Sequence, residues 1–161
     1  MPKTETWNGV NYYLRSGGSL PATLSPGVWC IKGELNSNTR GYDVLVVLLD
    51  GGIKYTGNGD LQLTRDSDLI DKNGNQFGGM VIYAPPSNHN TFRFGGNSQS
   101  LFNGTVFAPG MECDFGGTPD NKSNHTAVIC DTIKIHGNPI IDIVYYPEQN
   151  YRIAPSLELS Q

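Results

Sequence analysis

The densest acidic stretch of the chain is RDSDLIDKNGN at 65–75, which sets Asp66, Asp68 and Asp71 close to Asn73 and Asn75. Oxygen donors at that density suit a hard cation such as Ca²⁺, which gathers roughly six to eight carboxylate, amide and carbonyl oxygens. The spacing is not that of an EF-hand, because Gly74 is misplaced and no Glu closes a loop of the required length. Two readings stay open: a solvated polar loop, or an irregular Ca²⁺ site through Asp66, Asp68, Asp71 and Asn73. No cofactor is the first expectation, and Ca²⁺ is the one alternative.

The other reactive residue types are scattered. His89, His125 and His136 each neighbour Asn, Lys or Gly, and spacing gives none of them a Cys, Ser or carboxylate partner, so they read as surface histidines. Cys30, Cys113 and Cys130 lack the paired spacing of a zinc or redox site. Each sits in an apolar run, which makes them small core-facing residues; a Cys113–Cys130 disulfide is the alternative, and it leaves Cys30 unbridged. Trp29, Phe94, Phe107 and Phe115 fall on apolar strand phases and read as core. Tyr12, Tyr13, Tyr145, Tyr146 and Tyr151 are the candidates for an exposed strip that stacks on sugars or on a partner protein. The chain contains no nucleophile elbow, zincin helix motif, phosphate-binding loop or dinucleotide fingerprint. The expectation is a protein without enzymatic activity, with no catalytic residue assigned.

Whatever these residues do, strands must position them. Gly, Pro or Asn interrupts nearly every window before a helical period completes, and 20 Gly and 10 Pro in 161 residues leave room only for short elements. Runs such as GVWCI, DVLVVLL, GMVIYAP, GTVFAP and AVICDTIKI are rich in β-branched and aromatic residues and are bounded by turn formers. Three of the runs share one pattern, apolar, basic, apolar, any residue, Gly, Asn: IKYTGN at 53–58, FRFGGN at 92–97 and IKIHGN at 133–138, about forty residues apart. A second echo relates GMVIYAP at 79–85 to GTVFAP at 104–109.

Recurring strand-and-corner units predict a short parallel β-helix, a solenoid of about 20–25-residue coils with a continuous inner core. In this reading Ile133 and Ile135 point inward, Lys134 and His136 point outward, and the Asn of each GN pair satisfies backbone groups at a corner. An antiparallel β-sandwich is the alternative. The chain forms one domain over 1–161, with an N-terminal cap and connector over 1–26, coils over 27–146 and a C-terminal cap or tail over 147–161.

A net charge of −4 without a basic cluster argues against nucleic acid as a partner. The longest apolar run, VLVVLL at 44–49, is far short of the roughly 20 residues of a membrane-spanning helix.

The ordered set SPGVWCIKGELN, VLVVLLDGGIKYTGNGDLQLT, GGMVIYAPPSN, FRFGGNSQSLFNGTVFAPG and AVICDTIKIHGNPIIDIVYY, spanning residues 25–146, resembles the C-terminal β-helical region of bacterial TadE/TadG-like proteins of tight-adherence (Flp-type) pili. The resemblance implies an extracytoplasmic protein of the bacterial envelope or cell surface, with export signal and membrane anchor upstream. Its implied partners are proteins of the pilus or envelope machinery. It carries over no catalytic residue, and a structural role at most for Cys30. The Asp-rich loop at 65–75 departs from the family pattern, which is more apolar there and contains Pro. The leading functional expectation is therefore a non-enzymatic structural or adhesion module. The alternatives are a glycan-binding or polysaccharide-degrading β-helix and a self-assembling solenoid scaffold.

Overall fold

Short apolar runs broken by Gly, Pro and Asn fold here as strands and, among the described residues, as no helix. The computed structural model describes residues 5–7, 9–17, 20–56, 58–65, 77–95, 99–117, 120–124, 127–138 and 140–143. The strands are β1 (Glu5–Trp7), β2 (Val10–Ser16), β3 (Thr23–Leu24), β4 (Gly27–Lys32), β5 (Thr39–Tyr42), β6 (Val44–Leu48), β7 (Ile53–Tyr55) and β8 (Asp60–Thr64). They continue as β9 (Met80–Tyr83), β10 (Thr91–Phe94), β11 (Gln99–Asn103), β12 (Thr105–Gly117), β13 (Asp120–Asn124), β14 (Val128–Gly137) and β15 (Ile140–Ile143). The calcium candidates Asp66, Asp68, Asp71 and Asn73, the tyrosines Tyr145, Tyr146 and Tyr151, and His125 all lie outside the described residues.

The protein is all-β, with parallel sheets. One sheet runs β1-β2-β4-β6-β9-β12-β10-β7 with β14 also on β12; a second runs β11-β8-β5-β3; β13 pairs β15. Among the described strands only β1 with β2 is antiparallel, so the antiparallel ladders of a sandwich are missing from the pairing. No sheet closes on itself among the described residues. β2 and β3 belong to the stretch expected as a cap, yet they already pair in parallel with β4 and β5.

Parallel strands covered on both faces read as unbroken apolar runs, and β6, VLVVL, is buried at every position but one. On the main core face Trp29, Ile31, Val46, Leu48, Leu61, Leu63 and Phe92 are essentially inaccessible. Tyr13, expected in an exposed strip, is buried and stacks on Trp29 with ring centroids 4.2 Å apart. Tyr12 faces the other way, partly buried in a second apolar cluster around Val28, Leu45 and Met80. Phe107, expected in the main core, also belongs to that second cluster, where it stacks on Tyr83. The period-2 alternation of a strand decides this, because Phe107 lies between the core-facing Val106 and Ala108.

The two echoes seen in the sequence are stacking partners. GMVIYAP lies beside GTVFAP, with Thr105 opposite Met80 but Val106 opposite Ile82; the register shift between them absorbs the extra residue of the longer motif. Corners depend on close backbone approach: a Cβ on Gly51 would overlap the backbone of Gly33 in the neighbouring pass. Among the described residues, the corner asparagine with buried bonds to backbone carbonyls is not in a GN pair: Asn58 and Asn138 are exposed, and Asn97 lies outside the described residues. It is Asn88, 3% exposed, whose Nδ2 donates to the carbonyls of Leu48 and Gly51 while its Oδ1 accepts from Asn90. Asn88→Ala strands these buried groups and is expected to cost about 2–3 kcal/mol; urea unfolding checks this, and a loss under about 1 kcal/mol would contradict it.

Cys113 and Cys130 form a disulfide with Cα atoms 6.1 Å apart, and Cys30 forms none. The two readings open for these residues hold together: the bridge is present, and Cys113 is buried in the core with Cys130 packed against it. The bridge ties β12 to β14 beside the register shift between Ala108 and Glu112.

Candidate functional site

The motif strands found by sequence come together, but through an intermediary. Ile53, Lys54 and Tyr55 of β7 pair directly with Phe92, Arg93 and Phe94 of β10. β10 does not then meet β14. Phe92 pairs Cys113, 21 positions on, and Cys113 pairs Ile133, 20 further, so the forty-residue spacing from β10 to β14 contains two passes. The intervening segment ECDFGG puts Asp114 in the slot held elsewhere by Lys or Arg, which is why the basic motif missed it. Its alternation, Glu112 and Asp114 against Cys113 and Phe115, was the available signal.

Parallel strands about 4.8 Å apart place equivalent side chains in a row. The outward row reads Lys54, Arg93, Asp114, Lys134. Asp114, only 9% exposed, is held from two sides: Arg93 Nε lies 3.4 Å from Oδ2, and His136 Nε2 lies 2.7 Å from Oδ1. A carboxylate oxygen only accepts, so Nε2 of His136 carries the proton. Lys134 Nζ pairs with Glu112 Oε2 at 2.7 Å. His136 thus has a carboxylate partner that spacing did not reveal, while His89 Nδ1 meets the carbonyl of Gly110 at a corner.

The hydrogen bond and charge of Glu112 raise the Lys134 amine above the ordinary lysine value of 10.5. A raised lysine keeps its pair intact below the unfolded-state value and loses it as pH climbs through the folded one. Glu112→Gln is therefore expected to move the Lys134 titration, followed by side-chain ¹⁵N NMR, back down; an unmoved midpoint would contradict the assignment. On the inner side of β7, burial and then the charge of Asp60 push the Tyr55 phenol far above its usual value, and Tyr55 donates to the carbonyl of Ser37.

His136 reaches Asp114 because position 116 is glycine. A methyl on Gly116 would overlap the imidazole ring. Gly116→Ala is expected to turn His136 away and remove the hydrogen-bonded Nε2–H signal from the histidine ¹H–¹⁵N spectrum, with stability lowered by less than about 1 kcal/mol as for exposed pairs. Persistence of that signal would show that the ring has room to tilt.

Beside this row runs a groove of about 480 Å³ whose walls include Glu34, Asp50, Asn90, Lys54, Arg93, Glu112 and Asp114. A second hollow of about 460 Å³ shares Glu34 and Lys54 with it and continues to Thr56 and Gly59. The lining is rich in fixed donors and acceptors, the surface on which a polyhydroxylated chain can exchange its water for protein hydrogen bonds. No group of three or more His, Cys, Asp or Glu among the described residues is arranged to hold a metal ion. No helix among them is long and apolar enough to cross a membrane.

Comparison of the chain with protein-family models, with curated proteins and with solved structures gives no match. The row of charge and the groove beside it are therefore read from their own chemistry. Of the residues proposed from sequence for ligand binding, Tyr13 is removed from the surface and Tyr12 is partly buried, and neither lines the groove. Glu34, Asp50, Glu112 and Asp114 were not singled out from sequence, because isolated acids in strands give no spacing signal until the register is known.

Proposed function

We propose that the chain is a non-enzymatic, extracytoplasmic structural or adhesion module built on a short parallel β-helix. The observation that carries the non-enzymatic reading is the closure of the outward polar groups on one another: both oxygens of Asp114 and the Glu112 carboxylate are engaged by basic side chains from adjacent strands. Such a ladder ties passes together, whereas a hydrolytic pair needs one carboxyl poised to give a proton and another open to substrate. Support for the β-helix comes from the register. Along one row the chain returns after 16 residues from Tyr13 to Trp29, 17 to Val46, and later 24 from Ile82 to Val106 and 22 to Val128. The long return from Val46 to Ile82 includes the acidic stretch at 65–75.

The Cys113–Cys130 bridge suits an oxidising compartment. With the resemblance to tight-adherence pilus proteins, it supports a place at the bacterial envelope or surface, with pilus or envelope proteins as partners. Acid quenching and alkylation of the protein in its native cells tests this: the two cysteines are expected to be found oxidised, and alkylated thiols at both would count against an extracytoplasmic site.

A second reading, glycan binding, is favoured by the groove itself. Its four carboxylates against two cations repel polyanions, which leaves neutral polysaccharides as the class to test. Incubation with a neutral polysaccharide panel, with and without Ca²⁺, separates the readings. Retardation in affinity gels without new reducing ends supports glycan binding, and no retardation removes it. New reducing ends would overturn the non-enzymatic reading, and a strict Ca²⁺ requirement would point to Asp66, Asp68, Asp71 and Asn73.

A further inference from the structure

The ten residues of β14 pair along one side with β12 and, among the described residues, with no other strand. The other side is a row of backbone donors and acceptors, the template on which a further strand can form. Its side chains have the same character. Ile133 and Ile135 are register mates of Cys113, which is fully buried, and of Phe115, which packs on the core, yet they are 51% and 61% exposed. The sequence expectation that both isoleucines are buried holds for their phase and fails for their cover. Ile129 on the same strand is 44% exposed, so half of the six exposed large apolar residues among the described residues lie on this one edge. The opposite end differs, because β2 is covered there by the antiparallel β1.

We infer that the free edge of β14 accepts an extended segment of a partner protein, added in parallel, that reads apolar, acidic, apolar, acidic opposite Ile133, Lys134, Ile135 and His136. Apolar residues at the first and third positions continue the core row of Cys113 with Ile133 and of Phe115 with Ile135. The acidic positions follow from the outward row. Lys134 and His136, each with 55% of its side chain accessible, hold carboxylates of β12 on one side and face solvent on the other. A carboxylate directly across a strand pair attracts, and a like charge repels. A second copy is the poorer occupant: its own β14 would set Lys134 and His136 against the same residues, and its β1 offers three residues to a ten-residue edge.

The test is an NMR titration of the ¹⁵N-labelled full chain with a blocked heptapeptide alternating Val and Glu, beside one alternating Val and Lys. The Val/Glu peptide is expected to shift amides of β14 and the Val/Lys peptide to leave them in place. Lys134→Glu should weaken binding roughly two- to fivefold, and the double variant Ile133→Thr, Ile135→Thr about tenfold or more. Leu14→Thr, exposed elsewhere, should change nothing, and each variant's amide spectrum verifies its fold. Absence of β14 shifts, or equal response to both peptides, overturns the inference. So does broadening of β14 amides with a rising sedimentation coefficient as protein alone is concentrated, which assigns the edge to a second copy. Tighter peptide binding by Glu158→Lys also overturns it, because the chain's own Leu157–Leu159, which has the apolar, acidic, apolar pattern, would then be the occupant.

Discussion

Phe94→Ala is expected to lower the unfolding free energy by roughly 3–5 kcal/mol, the range for removing a large buried aromatic. Phe94 is 1% exposed and is the hub of an aromatic stack through successive passes, 5.2 Å from Tyr55 on one side and 6.3 Å from Phe115 on the other, both rings nearly parallel to it. Phe92 and Phe102 close the cluster at 5.2 and 5.8 Å. Truncation therefore leaves a cavity bounded by rings from several strands, and parallel passes tied by backbone ladders have little freedom to collapse into it. Phe94→Leu should recover a large part of the loss. Denaturant midpoints at constant slope measure both; a loss below about 1 kcal/mol for the alanine variant would show that the passes are not rigidly stacked.

Removing the disulfide is expected to cost about 3 kcal/mol, the loop-closure value for a cross-link between residues separated by 17 positions. The double variant Cys113→Ala, Cys130→Ala is the cleaner test, because Cys113 is fully buried on the core side and a hydroxyl there would add an unsatisfied group. Reduction of the wild-type protein should give a similar loss. The effect should be local in hydrogen exchange: β14 amides should open first, because β14 has one described neighbour, while β4, flanked by β2 and β6, keeps its protection. Unchanged stability within about 0.5 kcal/mol, or uniform loss of protection, would mean that β14 is held by its ladder to β12 alone.

Much of the scaffold was legible. The stacking of IKYTGN on FRFGGN, and of GMVIYAP on GTVFAP, follows from motifs that recur because equivalent positions meet the same neighbours. The site was less so. Asp114 occupies a row whose other members are Lys54, Arg93 and Lys134, and charge alternation between passes hides a register mate from any search for like residues. Tyr12 and Tyr13 are adjacent in a strand and so must face opposite ways, which excludes a shared binding strip; the period-2 rule was available, but which face was the core was not. Asn88 gave no sign of its role, because its acceptors, Leu48 and Gly51, lie some forty residues away along the chain.

By itself the sequence determined that the chain is made of short strands with tight corners, since Gly, Pro and Asn frequency and the absence of helical periodicity are local properties. It determined the alternation of the two faces along each strand for the same reason, and left open which face is the core. The tertiary structure decided which strands are neighbours, and therefore which charges meet. The His136–Asp114–Arg93 cluster joins three strands, the groove beside it draws on still others, and the edge of β14 is exposed because β12 alone pairs with it among the described residues. Those are long-range facts, fixed by the register in which one pass settles on the last, and register depends on the packing of the whole core.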